Sequence, residues 1–236
     1  YRGHLARRNA ERASSSLDAA GFLAESGLLR GRGELTHAAA LMFGKDRLLA
    51  RLKPGGLVDF RVLYSELTPE APEQRWDDRE LCERNLVVSL RALFERLHRL
   101  VPQPFAVDPR TGERQAESPD YISVREALVN LLVHQDYSDV HRTARILWFR
   151  DAVVFENPGD SFVKLSEMLD GGSSQLRNPS LVRLFRQAGF AEQAGSIRPD
   201  PAHKLHRLIE GRLDRSVDGG RRHSQPQIAP RYRIDR

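Results

Sequence analysis

The sequence predicts an α/β fold, because helical patterns and strand-like runs both occur along its 236 residues. Residues 80–101 and about 119–135 repeat apolar side chains at helical spacing. Residues 54–66 and the runs "ARILWFR" and "AVVFENPG" have the composition of strands. The chain is long enough to bury a sizeable core in one large domain or two small ones.

Composition places the chain among soluble globular proteins, with 40% hydrophobic and 29% charged residues. Its longest apolar stretches are far too short to cross a bilayer, and no signal-peptide pattern opens it. A single cysteine, Cys82, can form neither an internal disulfide nor a metal cluster, and we expect it in the core. These features together predict a cytoplasmic protein without a membrane partner.

The formal net charge is +5, and arginine supplies most of the positive charge. A basic surface attracts nucleic acid and nucleotide phosphates. GC-rich coding explains a high arginine content equally well. Charge therefore supports contact with nucleic acid but does not establish it.

The N-terminal region, residues 1–52, predicts two helices at roughly 16–26 and 35–43, separated by a Gly–Arg–Gly turn. Ser16 and Thr36 are the expected N-caps of these helices. Two short helices around a glycine turn also fit a helix-turn-helix, although that pattern is very permissive. The chain opens with "YRGHLARRNA" rather than Met, so we expect a piece of a longer protein.

The remaining elements follow from local signals. Val58, Phe60 and Val62 alternate as in a strand, and the two later strand-like runs meet at Arg150 and Asp151 as an antiparallel hairpin. A helix is predicted at 177–190, with Asn178 as its N-cap and Pro179 at its first position. Few large apolar residues occur in 196–236, where we expect a basic, partly disordered tail.

The helix predicted at 119–135 carries Glu126, Asn130 and His134 at four-residue spacing, with Asp136 just beyond. They lie away from the apolar stripe of the helix and are bordered by apolar residues on both sides, which predicts that they line a cavity. In the alternative interpretation, Ser123 and Glu126 form a capping box, and Asn130 and His134 are satisfied core groups.

A carboxylate and an amide one turn apart suit a metal–phosphate site. Glutamate can orient or deprotonate a water, and the asparagine oxygen is a hard ligand for Mg²⁺. Two loops could complete such a site. "ENPGD" at 156–160 offers a turn whose glycine permits close approach, and "DGGSSQLRNP" at 170–179 offers many N–H groups and Arg177.

The order "SVREALVNLLVHQDYS", "ILWFRDAVVFENPGD", "LRNPSLVRLF" and "AGFAEQAGS" closely resembles a bacterial family of transcriptional regulators often labelled RecG-like. Their C-terminal region is similar to the GHKL ATPase fold of gyrase, histidine kinases and MutL. The earlier "GLL" and "LTHAAALMFGKD" resemble the end of the family's Schlafen-like (AlbA-type) DNA-binding domain. The resemblance covers about residues 12–196.

The resemblance implies an α+β sandwich of the GHKL, histidine-kinase-like type. It divides the chain into the remnant of a DNA-binding domain at 1–52, a GHKL-like ATP-binding domain at 53–195 and the tail at 196–236. It also implies ATP and Mg²⁺ as cofactors, and DNA bound mainly through an upstream domain that is mostly missing here. A second copy of the chain, in a homodimer, could be a further partner.

Carried over by position, Glu126 would orient the water and Asn130 would bind Mg²⁺. The nucleotide-binding residues implied by the resemblance are Asn130, His134, Asp136, Asn157, Gly159, Arg177, Asn178 and Gly195. His134 and Asp136 would fix the pocket, Asn157 and Gly159 would meet the adenine, and Arg177 and Asn178 would border the phosphates or lid.

The chain departs from the family pattern after Gly195, where no second glycine follows. This argues against phosphate cradling by that loop and favours a rival, a DNA-binding or scaffold protein that has lost nucleotide binding. A third alternative is sequence-independent nucleic-acid binding by the basic ends. "FGKD" at 43–46 lacks the P-loop pattern around it, so a helicase motor is excluded. Since folds of the GHKL type often keep the nucleotide pocket and lose turnover, the resemblance implies at most a weak Mg²⁺-dependent ATPase.

Overall fold

A computed structural model of the chain describes residues 18–68, 75–102, 118–159, 176–190 and 231–233. The helices are α1 (Ala19–Glu25), α2 (His37–Phe43), α3 (Asp46–Leu52), α4 (Leu86–Leu100), α5 (Pro119–His134) and α6 (Pro179–Ala188). The strands are β1 (Leu29–Arg30), β2 (Glu34–Leu35), β3 (Val58–Val62), β4 (Asp78–Cys82), β5 (Ala144–Trp148), β6 (Ala152–Glu156) and β7 (Arg231–Arg233).

The main sheet has five strands in the order β4-β3-β5-β6-β7. Strands β3 and β5 are parallel, with Phe60 opposite Ile146, and the other neighbouring pairs are antiparallel. The parallel pair requires a crossover, and helices α4 and α5 lie between β4 and β5 in the chain. The protein is therefore an α/β protein with a mixed sheet, as the sequence predicted, and this architecture fits an ATPase-like α+β fold.

One face of the sheet and the helices share a single hydrophobic core. Phe60, Ile146 and Phe155 are 0–1% exposed and belong to the same buried cluster as residues of α2, α4, α5 and α6. Val154, next to Phe155, belongs instead to a smaller cluster with Leu63 and Phe149. Because successive strand residues point to opposite faces, the helices cover one face and the smaller cluster lies on the other.

The region before β3 differs from its prediction in detail. Helix α1 begins after Asp18, whose side chain accepts a hydrogen bond from the Gly21 N–H, so the N-cap in the structure is Asp18 rather than Ser16. The Thr36 cap of α2 is confirmed. A short antiparallel hairpin, β1–β2, lies between the two helices, where only a turn was expected. Helix α3 was not predicted.

The helix predicted at 80–101 was wrong at its beginning. Residues Asp78–Cys82 form β4, and α4 begins only after Asn85, whose side chain accepts a hydrogen bond from the Val88 N–H. The apolar spacing of Leu81, Cys82 and Leu86 fits a helix, but pairing with β3 draws the first two into the sheet. Cys82 is buried, as predicted.

The second half agrees more closely with the sequence. The β5–β6 hairpin is confirmed, and α5 and α6 end within a few residues of their predicted bounds. Most of 196–236 lies outside the described residues, but Arg231–Arg233 form β7 at the edge of the sheet. Of the helices that the structure describes, none is long and apolar enough to traverse a membrane.

Candidate functional site

The predicted polar residues form one open stripe along α5. Glu126 is exposed, whereas Asn130 and His134 are half-buried, and the neighbouring Val129 and Val133 are buried. At 1.5 Å per residue, Asn130 precedes His134 by about 6 Å and Glu126 precedes it by about 12 Å along the helix. The stripe is therefore open at its Glu126 end and enclosed at its His134 end.

The capping-box alternative for this stripe is wrong. Helix α5 begins at Pro119, and Ser118 caps it by accepting a hydrogen bond from the Tyr121 N–H at 3.2 Å. Ser123 and Glu126 therefore lie inside the helix, beyond the position where a capping box forms. Glu126 is therefore an exposed carboxylate within the helix and not part of its N-terminal cap.

The C-terminal end of α5 is closed by a residue from another helix. Asn178 Nδ2 donates to the carbonyl of Val133 at 3.0 Å and to the carbonyl of Gln135 at 2.8 Å. Asn178 occupies the predicted N-cap position of α6, yet its side chain makes no capping bond to that helix. It satisfies carbonyls at the end of α5 instead, and so fixes the start of α6 against the stripe.

The turn after β6 packs against the loop after α5. The Asp136 N–H donates to the carbonyl of Pro158 at 3.3 Å. Gly159 has φ +95°, and a β-carbon placed on it would lie 2.7 Å from Cβ of Asp136. The sequence predicted a glycine that allows close approach, and the nearest group among the described residues is Asp136.

Arg177 and Asp136 form the charged part of the cluster, with 3.4 Å between Arg177 Nη1 and Asp136 Oδ2. Partial burial alone would raise the pKa of Asp136. Hydrogen bonds from Ser138 and the charge of Arg177 outweigh burial and hold that pKa below its ordinary value. The carboxylate is therefore ionised at neutral pH.

His134 lies beside this ion pair and is neutral at neutral pH. Burial lowers the pKa of its imidazole, and the positive charge of Arg177 lowers it further. A neutral imidazole presents one donor and one acceptor nitrogen, so it can bind a polar ligand without repelling a cation.

Two of the predicted site residues have a buried polar atom that lacks a hydrogen-bond partner in the described parts of the chain. These atoms are Nε2 of His134 and Oδ1 of Asn157. Such atoms are rare because an unpaired buried polar group costs about 1–3 kcal/mol. Both atoms fit a site whose remaining hydrogen bonds are made to a bound polar molecule.

The structure thus brings most of the predicted site together. His134, Asp136, Gly159, Arg177 and Asn178 meet at the end of α5, and Asn157 adjoins them in the chain. Glu126 and Asn130 extend the group along the open stripe, where the Asn130 amide oxygen is of the type that Mg²⁺ binds. Gly195 lies outside the described residues.

Sequence reasoning missed two buried polar residues that support this cluster. Gln135 is fully buried and donates from Nε2 to the carbonyl of Leu57 at 3.1 Å. Lys53 is 2% exposed and donates from Nζ to the carbonyls of Asp139 and Arg142. Neither shows a local sequence signal, because each bonds a segment far away in the chain.

Comparison with known proteins identifies an ATPase-like region here. Residues 141–196 match a protein-family model described as "Putative ATP-dependent DNA helicase recG C-terminal". This segment contains β5, β6, the Asn157–Gly159 turn and α6, and it begins after α5. The chain therefore carries a RecG C-terminal-like, ATPase-like region, whereas the stripe on α5 lies outside the match.

A crystal structure of the DIP2311 protein from Corynebacterium diphtheriae aligns with this chain at a TM-score of 0.60 and 18% sequence identity. The alignment covers 82% of this chain and 37% of the other, so this chain spans well under half the length of that protein. At this identity the likeness establishes a shared fold alone. No curated protein sequence matches the chain.

Proposed function

We propose that this chain binds an adenine nucleotide together with Mg²⁺ at the end of α5, and that the bound nucleotide modulates DNA binding by a transcriptional regulator. The observation that carries the proposal is that two buried atoms, His134 Nε2 and Asn157 Oδ1, have no hydrogen-bond partner among the described residues. Arg177 places a positive charge near His134, and Asn157 lies within the region that is similar to an ATPase family.

Each part of the site suits one part of the ligand. The Asn157 oxygen can accept a hydrogen bond from the exocyclic amine of adenine, and Arg177 supplies positive charge for phosphates. Bound Mg²⁺ would neutralise phosphate charge and polarise the phosphoryl group, with Asn130 as its protein ligand. The exposed carboxylate of Glu126 would orient a water molecule on the same stripe. We propose at most a weak ATPase activity for this arrangement.

Calorimetric titration of ATP into the chain, with and without Mg²⁺, tests the nucleotide proposal. We expect Mg²⁺-dependent binding of ATP to the wild type. In Asn157→Ala the ATP affinity should fall by about tenfold or more, because the complex loses a buried hydrogen bond between uncharged groups. The unbound variant should lose no hydrogen bond of the Oδ1 atom, since that atom has no partner among the described residues, and denaturant unfolding of the variant is the folding control.

Ser65→Ala is the matched control for Asn157→Ala. Ser65 also has a buried side-chain oxygen without a partner in the described residues, and its carbonyl accepts from the N–H of Arg150 at the opposite end of β6. We expect this variant to bind ATP as the wild type does. Equal ATP affinity in Asn157→Ala and the wild type would remove the observation on which the proposal rests.

The rival function is a DNA-binding or scaffold protein with a nucleotide-blind module. The missing second glycine after Gly195 favours it. Absence of ATP binding by the folded wild type, with circular dichroism confirming the fold, would select this rival.

DNA binding would depend on a different part of the chain from nucleotide binding. We propose that residues 1–52 represent the end of an upstream Schlafen-like (AlbA-type) DNA-binding domain, and that 53–195 carry the nucleotide site. Fluorescence anisotropy with labelled duplexes should show DNA affinity that changes when ATP and Mg²⁺ are added. Affinity that is equal for all sequences, unaffected by ATP and lost steeply with salt would indicate general electrostatic attraction instead.

A further inference from the structure

Lys53 is a buried cation at the junction between α3 and β3. It is 2% exposed, and its Nζ donates to two backbone carbonyls, those of Asp139 and of Arg142, the latter at 2.8 Å. Burial lowers the pKa of its ammonium group, although the carboxylates of Asp139 and Asp136 act in the opposite direction. An apolar side chain of similar length would fill this position without the desolvation cost of a charge. The ammonium group therefore has a role that filling the core does not explain.

Three side chains make four hydrogen bonds between residues 53–57 and residues 135–143, the loop that joins α5 to β5. Besides Lys53, Thr143 Oγ1 donates to the carbonyl of Gly55 at 2.9 Å and Gln135 Nε2 donates to the carbonyl of Leu57 at 3.1 Å. Gln135 and Thr143 are the two ends of the loop. Lys53 bonds the carbonyls of Asp139 and Arg142 between them, so the loop is held at both ends and at two positions in between.

The two carbonyls that bind Lys53 are held within one local turn. The Asp139 carboxylate accepts from the backbone N–H groups of His141 and Arg142, both at 3.0 Å, and from Arg142 Nε at 2.5 Å. The turn orients the carbonyls of Asp139 and Arg142 toward a single donor. Lys53 therefore binds a preformed turn rather than two unrelated groups.

The same loop carries Asp136, which is part of the candidate site. Asp136 meets Arg177 through its carboxylate, Pro158 through its N–H and Gly159 through its Cβ. Displacement of the loop would move this carboxylate relative to Arg177 and alter the surroundings of His134. Lys53 is thus connected, through this loop, to groups that it does not itself contact.

We propose that Lys53 is a positioning residue for the nucleotide site, acting by anchoring the 135–143 loop that presents Asp136. The inference rests on the proposed function, and it adds a residue outside the site on which nucleotide affinity depends. Lys53 also lies at the proposed junction between residues 1–52 and 53–195. The segment that leads into β3 and the site loop are therefore held by the same ammonium group.

Two measurements on the variant Lys53→Met test this inference. We expect ATP affinity in the presence of Mg²⁺ to fall by about tenfold or more, the usual effect of removing a residue that orients a binding group. Amide hydrogen exchange should accelerate in residues 136–143 while the amides of β5 and β6 remain protected. That local pattern separates loss of the anchor from general destabilisation, which would accelerate both regions.

Lys45→Met is the matched control, because it removes the same charge from an exposed lysine before α3. We expect its ATP affinity and loop exchange to equal those of the wild type. Wild-type ATP binding combined with unchanged affinity in Lys53→Met would overturn the positioning role and leave the proposed function intact. No ATP binding by the folded wild type would instead overturn the proposed function and, with it, any role of Lys53 toward nucleotide.

A chemical rescue distinguishes the ammonium group from the aliphatic chain. Lys53→Cys is prepared in a Cys82→Ala background, alkylated in denaturant and refolded, with circular dichroism as the folding control. Alkylation with 2-bromoethylamine restores an ammonium group at the length of lysine, whereas 1-bromopropane gives the same length without charge. We expect only the first to recover ATP affinity, and equal affinity of the two products would contradict the inference.

Discussion

Gly159 and Asp136 approach so closely that a β-carbon on Gly159 would lie 2.7 Å from Cβ of Asp136. The contact joins the turn after β6 to the loop after α5, and Arg177 lies against both, with its Cζ 3.4 Å from the same added carbon. The most compact part of the candidate site is therefore formed where three separate segments of the chain meet.

The variant Gly159→Ala should lose more stability than backbone strain alone explains. A side chain at φ +95° costs about 1–3 kcal/mol, and the clash with Asp136 should add at least about 1 kcal/mol. Gly33→Ala is the matched control, since Gly33 has φ +94° with no atom within 4 Å of an added β-carbon. Denaturant unfolding of both variants measures the difference, and equal losses would contradict the packing role of Gly159.

The variant Asn178→Asp should destabilise the protein by about 1–3 kcal/mol, because it leaves the carbonyls of Val133 and Gln135 without their donor. The two side chains have nearly the same shape, so the loss comes from the missing N–H groups and from repulsion between oxygens. Thermal or denaturant unfolding provides the measurement. If Asn178 acted only as the N-cap of α6, the aspartate, itself a good N-cap, would be tolerated.

The buried imidazole of His134 should make stability depend on pH below neutrality. Its pKa is lowered in the folded chain, so the unfolded chain binds the proton more readily. Stability is then complete above the ordinary value of 6.5 and falls as the pH drops below 6.5 toward the lower folded pKa.

Denaturant unfolding between pH 5 and pH 8 tests this dependence. His134→Gln should flatten the decline below pH 6.5, because it removes the titrating group. His37→Gln, at an exposed position at the start of α2, should leave the decline unchanged. An identical pH profile for wild type and His134→Gln would show that another group is responsible.

The elements that the sequence predicted well are those specified by neighbouring residues. The apolar stripe of α5 and the short turn of the β5–β6 hairpin both act over a few positions. The prediction for the segment that forms β4 was wrong because Leu81, Cys82 and Leu86 have helical spacing. Only pairing with β3 shows that this segment is a strand. The Asn85 cap was the local signal that could have corrected it.

The same contrast holds within the candidate site. His134, Asp136 and Arg177 were identified from motifs, and the structure brings them together. Asn178 was expected to cap its own helix, yet its amide bonds carbonyls more than 40 positions earlier. Lys53 had no local signal at all, because its partners are more than 80 positions away. Sequence patterns therefore indicate which residues belong to the candidate site. The residues that hold them in place are set by tertiary contacts, which local patterns do not show.

Substitution of Glu126, at the open end of the α5 stripe, should affect ATP hydrolysis without affecting stability or ATP binding. Glu126 is exposed inside the helix, so Glu126→Ala should change the free energy of unfolding by no more than about 0.5 kcal/mol. It should abolish any ATP hydrolysis and preserve ATP binding. Glu95→Ala, an exposed glutamate within α4, is the control and should leave both hydrolysis and binding unaltered.

Asn130→Ala should have the complementary effect on the same stripe. Loss of its amide oxygen removes the proposed Mg²⁺ ligand, so the difference between ATP affinities with and without Mg²⁺ should disappear while the fold persists. Calorimetry at several Mg²⁺ concentrations measures this difference, and circular dichroism monitors the fold. A variant that keeps the full Mg²⁺ dependence would exclude Asn130 as the ligand, and the cation would then have to be held by other groups or by the phosphates alone.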